Sequence, residues 1–314
     1  MILTPQILTL LILNGIFLIF GTIAFTNAFK IYTSWDMTKT TKDQYSLEKK
    51  AFLSATIIKY IFALKLPLFL FFIFTLDNIS NILTGAMCAA GVVDATQYGV
   101  YLFIFKIINL YIFGFWLMLH KYDISKEEMP YTKLKFGLFL AAYIMLLVEI
   151  FLEISMFINI DPSVMVSCCG TLYSSTSASY ISSLFAVDPM ILLGIFYINF
   201  LLLIWGYFLK NNYFYIILSV LFLIIAIVTL IVWFGTYIYE LPTHHCPFCF
   251  LQKDYYYVGY ILYSTLFAGT FFGLATLFFT KEVFYKISLG FIVLYTLIVT
   301  AYPIIYYIKN GVWL

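Results

Sequence analysis

The sequence predicts an all-α fold, a polytopic membrane helix bundle of about eight transmembrane helices. Hydrophobic residues make up 64% of its 314 positions and charged residues only 10%, whereas soluble domains are about 45–50% apolar. The apolar residues form continuous runs of about 20 or more, long enough to cross a bilayer as helices. The runs lack the two-residue alternation of a membrane β-strand, so a helical bundle is the expected architecture.

Charged or turn-rich segments separate the runs and place each helix in order. The first run has no basic residue before Lys30 and is too long for the apolar part of a secretory signal, so we expect it to be retained as a helix. The breaks between spans are the lysine- and threonine-rich segment 30–51, the segment 76–97, the charged segment 121–134, the serine-rich segment 160–187, the short turn 210–212, the cysteine-containing segment 239–255, and the segment 281–286. The predicted spans lie near residues 6–29, 52–75, 98–120, 135–159, 188–209, 213–238, 256–280 and 287–308, and they fill a single integral membrane domain, residues 1–314.

The distribution of lysine predicts the orientation of the bundle, because loops rich in positive charge remain in the cytoplasm. All 17 basic residues are lysine, and only Lys253 and Lys309 fall in segments on the side of the two termini. The loops of the opposite side hold Lys30, Lys39, Lys42, Lys49, Lys50, Lys121, Lys126, Lys133, Lys135, Lys210, Lys281 and Lys286. We therefore expect both termini outside, in the inner membrane of a bacterium.

With this orientation, all five cysteines fall on the outer face, although the spans were assigned without reference to them. Cys88 follows the second span, Cys168 and Cys169 follow the fourth, and Cys246 and Cys249 follow the sixth. That face permits disulfides. Three loops of one bundle can meet at its rim, so these cysteines are candidate neighbours.

The segment HHCPFC supports several chemistries. Covalent haem is disfavoured because its attachment motif needs a histidine after the second cysteine, and here His244 and His245 precede the pair. A redox dithiol is one interpretation, with Cys246 and Cys249 occupying about the first turn of the next helix, whose N-terminus would stabilise the thiolate of the first cysteine. A copper or zinc site is another, because imidazole and thiolate suit both metals. Structural disulfides or simple packing remain the third.

Four ionisable residues lie well inside the predicted spans, in the half near the cysteines. These are Lys65, Lys106, Glu149 and Glu153. A charge at that depth costs several kcal/mol unless it is paired, so we expect these groups to face the interior and pair with each other. They predict either a proton relay, a polar cavity for a quinone, or a structural salt-bridge network.

The CPFC motif at Cys246–Cys249 resembles that of the membrane thiol oxidoreductases of the disulfide-bond-formation and vitamin K epoxide reductase type. The resemblance implies that Cys246 and Cys249 exchange electrons with a second cysteine pair and with a bound quinone. Cys168 and Cys169, or Cys88, then take the role of shuttle cysteines. Over its whole length the sequence also resembles a bacterial inner-membrane family without an assigned function.

Three hypotheses follow for the function. The leading one is an inner-membrane thiol–disulfide redox protein linked to quinone, with a periplasmic thiol or redox protein as its partner. The second is a transporter or delivery factor for copper or zinc, with His244, His245, Cys246 and Cys249 as ligands. The third is a non-catalytic anchor for a periplasmic redox partner. Scattered lysines and the absence of phosphate-binding or zinc-protease motifs argue against nucleic-acid, nucleotide or hydrolytic functions.

Overall fold

The computed structural model describes residues 4–36, 41–126, 128–163, 165–166, 188–279 and 282–314. In these ranges all regular structure is helical, which confirms the predicted all-α class. Eight of the helices are long and apolar enough to cross a membrane, as predicted. The helices are α1 (Pro5–Ser34), α2 (Lys42–Ser80), the short α3 (Ala89–Asp94), α4 (Gly99–Ile124), α5 (Thr132–Asn159), α6 (Pro189–Leu209), α7 (Asn212–Tyr239), α8 (Val258–Ala275) and α9 (Glu282–Asn310).

Polar caps fix several helix starts. The side chains of Thr41, Asp188 and Asn211 each accept a hydrogen bond from a backbone N–H in the first turn of α2, α6 and α7. Such caps satisfy N–H groups that the helix itself cannot pair. The cap at Thr41 starts α2 ten residues before the predicted span, because the charged segment from Lys42 continues the helix beyond its apolar part.

Contacts divide the chain into two compact units. The first unit comprises Met1–Thr84 and Val92–Met165, and the second comprises Gly85–Gly91 and Val166–Leu314. In each unit four long helices pack in a closed ring: α1, α2, α4 and α5 in the first, and α6, α7, α8 and α9 in the second. Each unit therefore has its own interior.

The core of the first unit is aromatic. The rings of Phe62 and Phe113 stack with centroids 4.2 Å apart, and Trp116 and Phe139 pack against Phe62. Trp116 donates its indole N–H to the carbonyl of Lys135, so the one polar atom of this side chain is satisfied.

Small side chains allow close helix packing in the second unit. A Cβ atom added to Gly269 would lie only 2.8 Å from the Ile292 side chain. The absence of a side chain at Gly269 therefore allows α8 and α9 to pack closely at this point. Ser288 of α9 donates a hydrogen bond of 2.7 Å to the carbonyl of Gly269 at the same contact. Small residues and interhelical hydrogen bonds are what packing inside a membrane favours.

Candidate functional site

The CPFC segment lies in an irregular connection between α7 and α8. Cys249 begins a 3₁₀ turn, Cys249–Leu251, and α8 begins only at Val258. A second 3₁₀ turn, Lys253–Tyr255, follows, and then Tyr256 and Tyr257, whose positive φ of 53° and 56° puts left-handed backbone directly before the helix. The expectation that Cys246 and Cys249 occupy the first turn of the helix is therefore wrong, and the dipole of α8 does not explain their chemistry.

Three cysteines meet in the second unit. The Sγ atoms of Cys88 and Cys246 are 3.4 Å apart, and those of Cys88, Cys246 and Cys249 all lie within 4.8 Å of one another. Their residues are only 0%, 1% and 5% exposed. This set is called the thiol triad below. Cys168 and Cys169 lie outside the described residues.

Hydrogen bonds hold the backbone around the triad. The Tyr239 hydroxyl, at the end of α7, donates to the carbonyl of Cys246 and accepts from the N–H of Phe250. The N–H of Phe248 points to the sulfur of Cys246 at 3.4 Å. This contact supplies the buried sulfur of Cys246 with a hydrogen-bond donor.

Two side chains join the rest of the connection to its surroundings. Tyr263 of α8 donates a hydrogen bond of 2.7 Å to the carbonyl of Pro247. Gln252 donates from its side-chain amide to the carbonyl of Met87, beside Cys88. The loop with Cys88 and the CPFC segment are thus tied together next to the triad.

Replacing Tyr239 with Phe is expected to loosen the CPFC segment without removing a sulfur atom. The change leaves the buried carbonyl of Cys246 and the buried N–H of Phe250 without this partner, at a cost of about 1–3 kcal/mol. Thermal unfolding in mild detergent, together with the rate of thiol alkylation, measures both effects. Tyr256→Phe is the matched control, because Tyr256 is 92% exposed and should change neither quantity.

The two histidines differ in their surroundings. His244 packs edge-on against the ring of Tyr239, with centroids 4.2 Å apart, and lies near enough to Cys88 to interact electrostatically. Its Nε2 atom is buried and has no hydrogen-bond partner among the described residues. His245 instead places Nδ1 3.0 Å from the carbonyl of Ile231 in a π-helical turn of α7. Burial lowers the pKa of both imidazoles, so both are neutral at pH 7.

A groove of about 360 Å³ lies beside the CPFC connection in the second unit. Tyr239 and Tyr255 line it and also lie near Cys246 and Cys249. Burial raises the pKa of Tyr255, and the nearby Cys249 adds to this effect. The groove is also lined by Tyr237, Ile238, Glu240, Asp254, Tyr256, Tyr302, Ile305 and Tyr306.

The four predicted intramembrane charges form one buried network in the first unit. Lys65 and Lys106 each place Nζ 3.0 Å from Oε1 of Glu149, and Lys106 lies 2.6 Å from Oε2 of Glu153. All four residues are buried, so the pairing expected from the sequence is present. The space they enclose is about 10 Å³, which is room for one water molecule.

Two asparagines that sequence reasoning missed complete this network. Asn14 of α1 accepts a hydrogen bond from Lys65, and Asn109 of α4 donates one of 2.6 Å to Glu149. Asn109 follows Lys106 by three residues and so shares its helix face, a signal present in the sequence. Tyr239 was also missed, and nothing distinguishes it in sequence among 27 tyrosines.

Comparison with protein-family models, curated proteins and solved structures finds no match to this chain. The geometry of its own residues therefore carries the functional argument.

Proposed function

We propose that this chain is a thiol–disulfide redox protein of a bacterial inner membrane, with the thiol triad as its reactive centre on the outer face. The observation that carries the proposal is the mutual proximity of three buried sulfurs within 4.8 Å. Two cysteines suffice for a structural disulfide, whereas a third sulfur in contact with the pair permits exchange.

The distance between Cys88 and Cys246 suits such an exchange. Reacting atoms about 3–3.5 Å apart are in a near-attack arrangement, and these sulfurs are 3.4 Å apart. In the proposed step the Cys88 thiolate attacks Cys246 of a Cys246–Cys249 disulfide. The Cys88–Cys246 bond forms, the Cys246–Cys249 bond breaks, and Cys249 leaves as a thiolate that takes up a proton.

Net turnover needs a donor and an acceptor of two electrons. In this proposal a periplasmic dithiol protein reduces the centre through Cys168 and Cys169, and becomes a disulfide. A quinone then accepts two electrons and two protons from the triad, restoring its disulfide and leaving as quinol. The tyrosine-lined groove beside Cys246 and Cys249 supports this choice of acceptor, because its volume of about 360 Å³ suits a planar ring.

The buried charges of the first unit have a different proposed role. Their enclosed space of about 10 Å³ is too small for a quinone ring. Lys65, Lys106, Glu149 and Glu153 are therefore proposed to relay the two protons that pass from the dithiol to the quinone.

The proposal is tested by replacing single cysteines with serine and measuring which disulfides each variant can still form and whether it still reduces quinone. Protein purified without oxygen in mild detergent is reduced, freed of reductant and mixed with a water-soluble quinone. Quinol formation is followed by absorbance, and disulfides are identified by alkylation and mass spectrometry. Wild type should yield one quinol for each disulfide formed, and Cys246→Ser should reduce quinone only at background rate. Cys249→Ser should accumulate the Cys88–Cys246 disulfide, because it lacks the thiol that resolves it.

Met87→Ala serves as the matched control, since Met87 adjoins Cys88 but its side chain is 69% exposed. This variant should behave as wild type. Quinone reduction that survives Cys246→Ser would overturn the proposal. Inert thiols in a chain that co-purifies with a redox partner would favour the anchor hypothesis instead.

A further inference from the structure

The spacing of the thiol triad also fits a metal ion. Zinc bound to thiolates at about 2.3 Å in a tetrahedron holds neighbouring sulfurs about 3.8 Å apart. The triad has one pair at 3.4 Å and no pair beyond 4.8 Å. Shifts of an ångström or less therefore bring three sulfurs to bonding distance of a common centre.

His244 offers a fourth donor. Its Nε2 atom is buried without a hydrogen-bond partner among the described residues, and such an unsatisfied atom is destabilising. The imidazole lies near Cys88 but outside the group of sulfurs that lie within 4.8 Å of one another, so it must move to share an ion with all three. Its edge-on contact with Tyr239 holds it beside the CPFC segment. A metal ion bound to Nε2 would satisfy this atom.

The backbone contacts at Cys246 suit a bound metal as well. Metal ligands are thiolates, and the N–H of Phe248 points to the Cys246 sulfur from two residues further along the chain. Three nearly unexposed cysteines make a compact three-sulfur site. With the imidazole of His244 moved in as a fourth donor it would be a closed site, which is typical of tight binding without an open coordination position.

We propose that Cys88, Cys246, Cys249 and His244 together bind one d¹⁰ cation, Zn(II) or Cu(I), when the triad is reduced, and that forming a disulfide within the triad releases it. This site differs from the ligand set expected from sequence, because Cys88 replaces His245. The release step rests on the proposed redox function, whereas binding to the reduced protein does not. An external disulfide oxidises two thiolates of the triad: an S–S bond forms between them, the S–S bond of the external disulfide breaks to give two thiolates, and the metal leaves with its charge unchanged.

The binding step is tested on reduced full-length protein in mild detergent, with Zn(II) and Cu(I) added in separate anaerobic titrations. One equivalent of either metal should remain after desalting, and Co(II) should give the visible spectrum of a tetrahedral thiolate complex. Replacing any one of the three cysteines with serine should weaken metal binding by about 10- to 100-fold or more. Loss of an outer-shell partner alone typically weakens binding by that much. Thermal unfolding of the apo variants checks that they fold.

The histidines provide a matched pair of variants. His244→Ala should weaken binding by about 10-fold or more and alter the Co(II) spectrum, while His245→Ala should leave the spectrum unchanged. Equal effects of the two variants, or no retained metal in folded wild type, would overturn the site. Oxidised glutathione added to loaded protein should release the metal to a coloured chelator. If the metal stays bound although a disulfide within the triad has been mapped, only the proposed release step is overturned. If wild-type protein binds the metal but does not reduce quinone, only the proposed redox function is rejected.

Discussion

Replacing Glu149 with Gln is expected to lower the free energy of unfolding by about 3–5 kcal/mol. The carboxylate of Glu149 contacts both Lys65 and Lys106 at 3.0 Å and accepts from Asn109 at 2.6 Å. A neutral amide of the same size leaves two buried ammonium groups to share the single charge of Glu153. The measurement is thermal or denaturant unfolding in mild detergent.

The same substitution at an exposed ion pair is the matched control. Glu282 lies near Lys210 and Lys286, with all three side chains at least half exposed. Exposed pairs contribute about 0–1 kcal/mol, so Glu282→Gln should change little. Adding Lys65→Met to Glu149→Gln should recover part of the loss, because one positive and one negative charge then remain in the network. Equal stability of the two Glu→Gln variants would contradict a network that depends on pairing.

The fold could be predicted from the sequence because each long helix is marked by its own residues. Apolar runs and charged breaks locate the spans, and the requirement that buried charges pair predicts the contacts of Glu149. The exact ends of the helices were less predictable. Charged residues from Lys42 extend α2 beyond its apolar part, so it begins earlier than predicted. The left-handed backbone at Tyr256 and Tyr257 makes α8 begin later than predicted, at Val258.

The candidate site was predictable only in part. Segregation of the cysteines on one face suggested that Cys88 adjoins the CPFC motif, and these residues are in contact. The difference between His244 and His245 does not follow from the sequence, because adjacent residues point in different directions and no periodicity applies in an irregular segment. The role of Tyr239 depends on two hydrogen bonds made across a turn, which local sequence does not encode. The expected position of both termini outside stays a prediction.

Replacing Gly259 with Ala is expected to disrupt the thiol triad from outside it. Gly259 is the second residue of α8, and a Cβ atom there would lie 2.5 Å from the ring of Phe250 and 2.8 Å from the side chain of Leu251. Both belong to the turn that begins with Cys249. Phe250 is fully buried and packs between Tyr239 and Tyr263, so it has little room to yield.

The added methyl group must therefore displace the turn, at a cost of about 1–3 kcal/mol for overpacking. Displacement moves the Cys249 sulfur away from Cys88 and Cys246, so quinone reduction and metal retention should both fall by about 10-fold or more. Gly290→Ala is the control, since a Cβ atom there meets nothing within 4 Å in α9, and alanine favours a helix over glycine by about 1 kcal/mol. Stability should hold or rise in that variant, with both activities kept. If Gly259→Ala kept wild-type exchange and metal binding while folded, the sulfur spacing would not be what determines either activity, because no ligand or reactive atom differs between the two proteins.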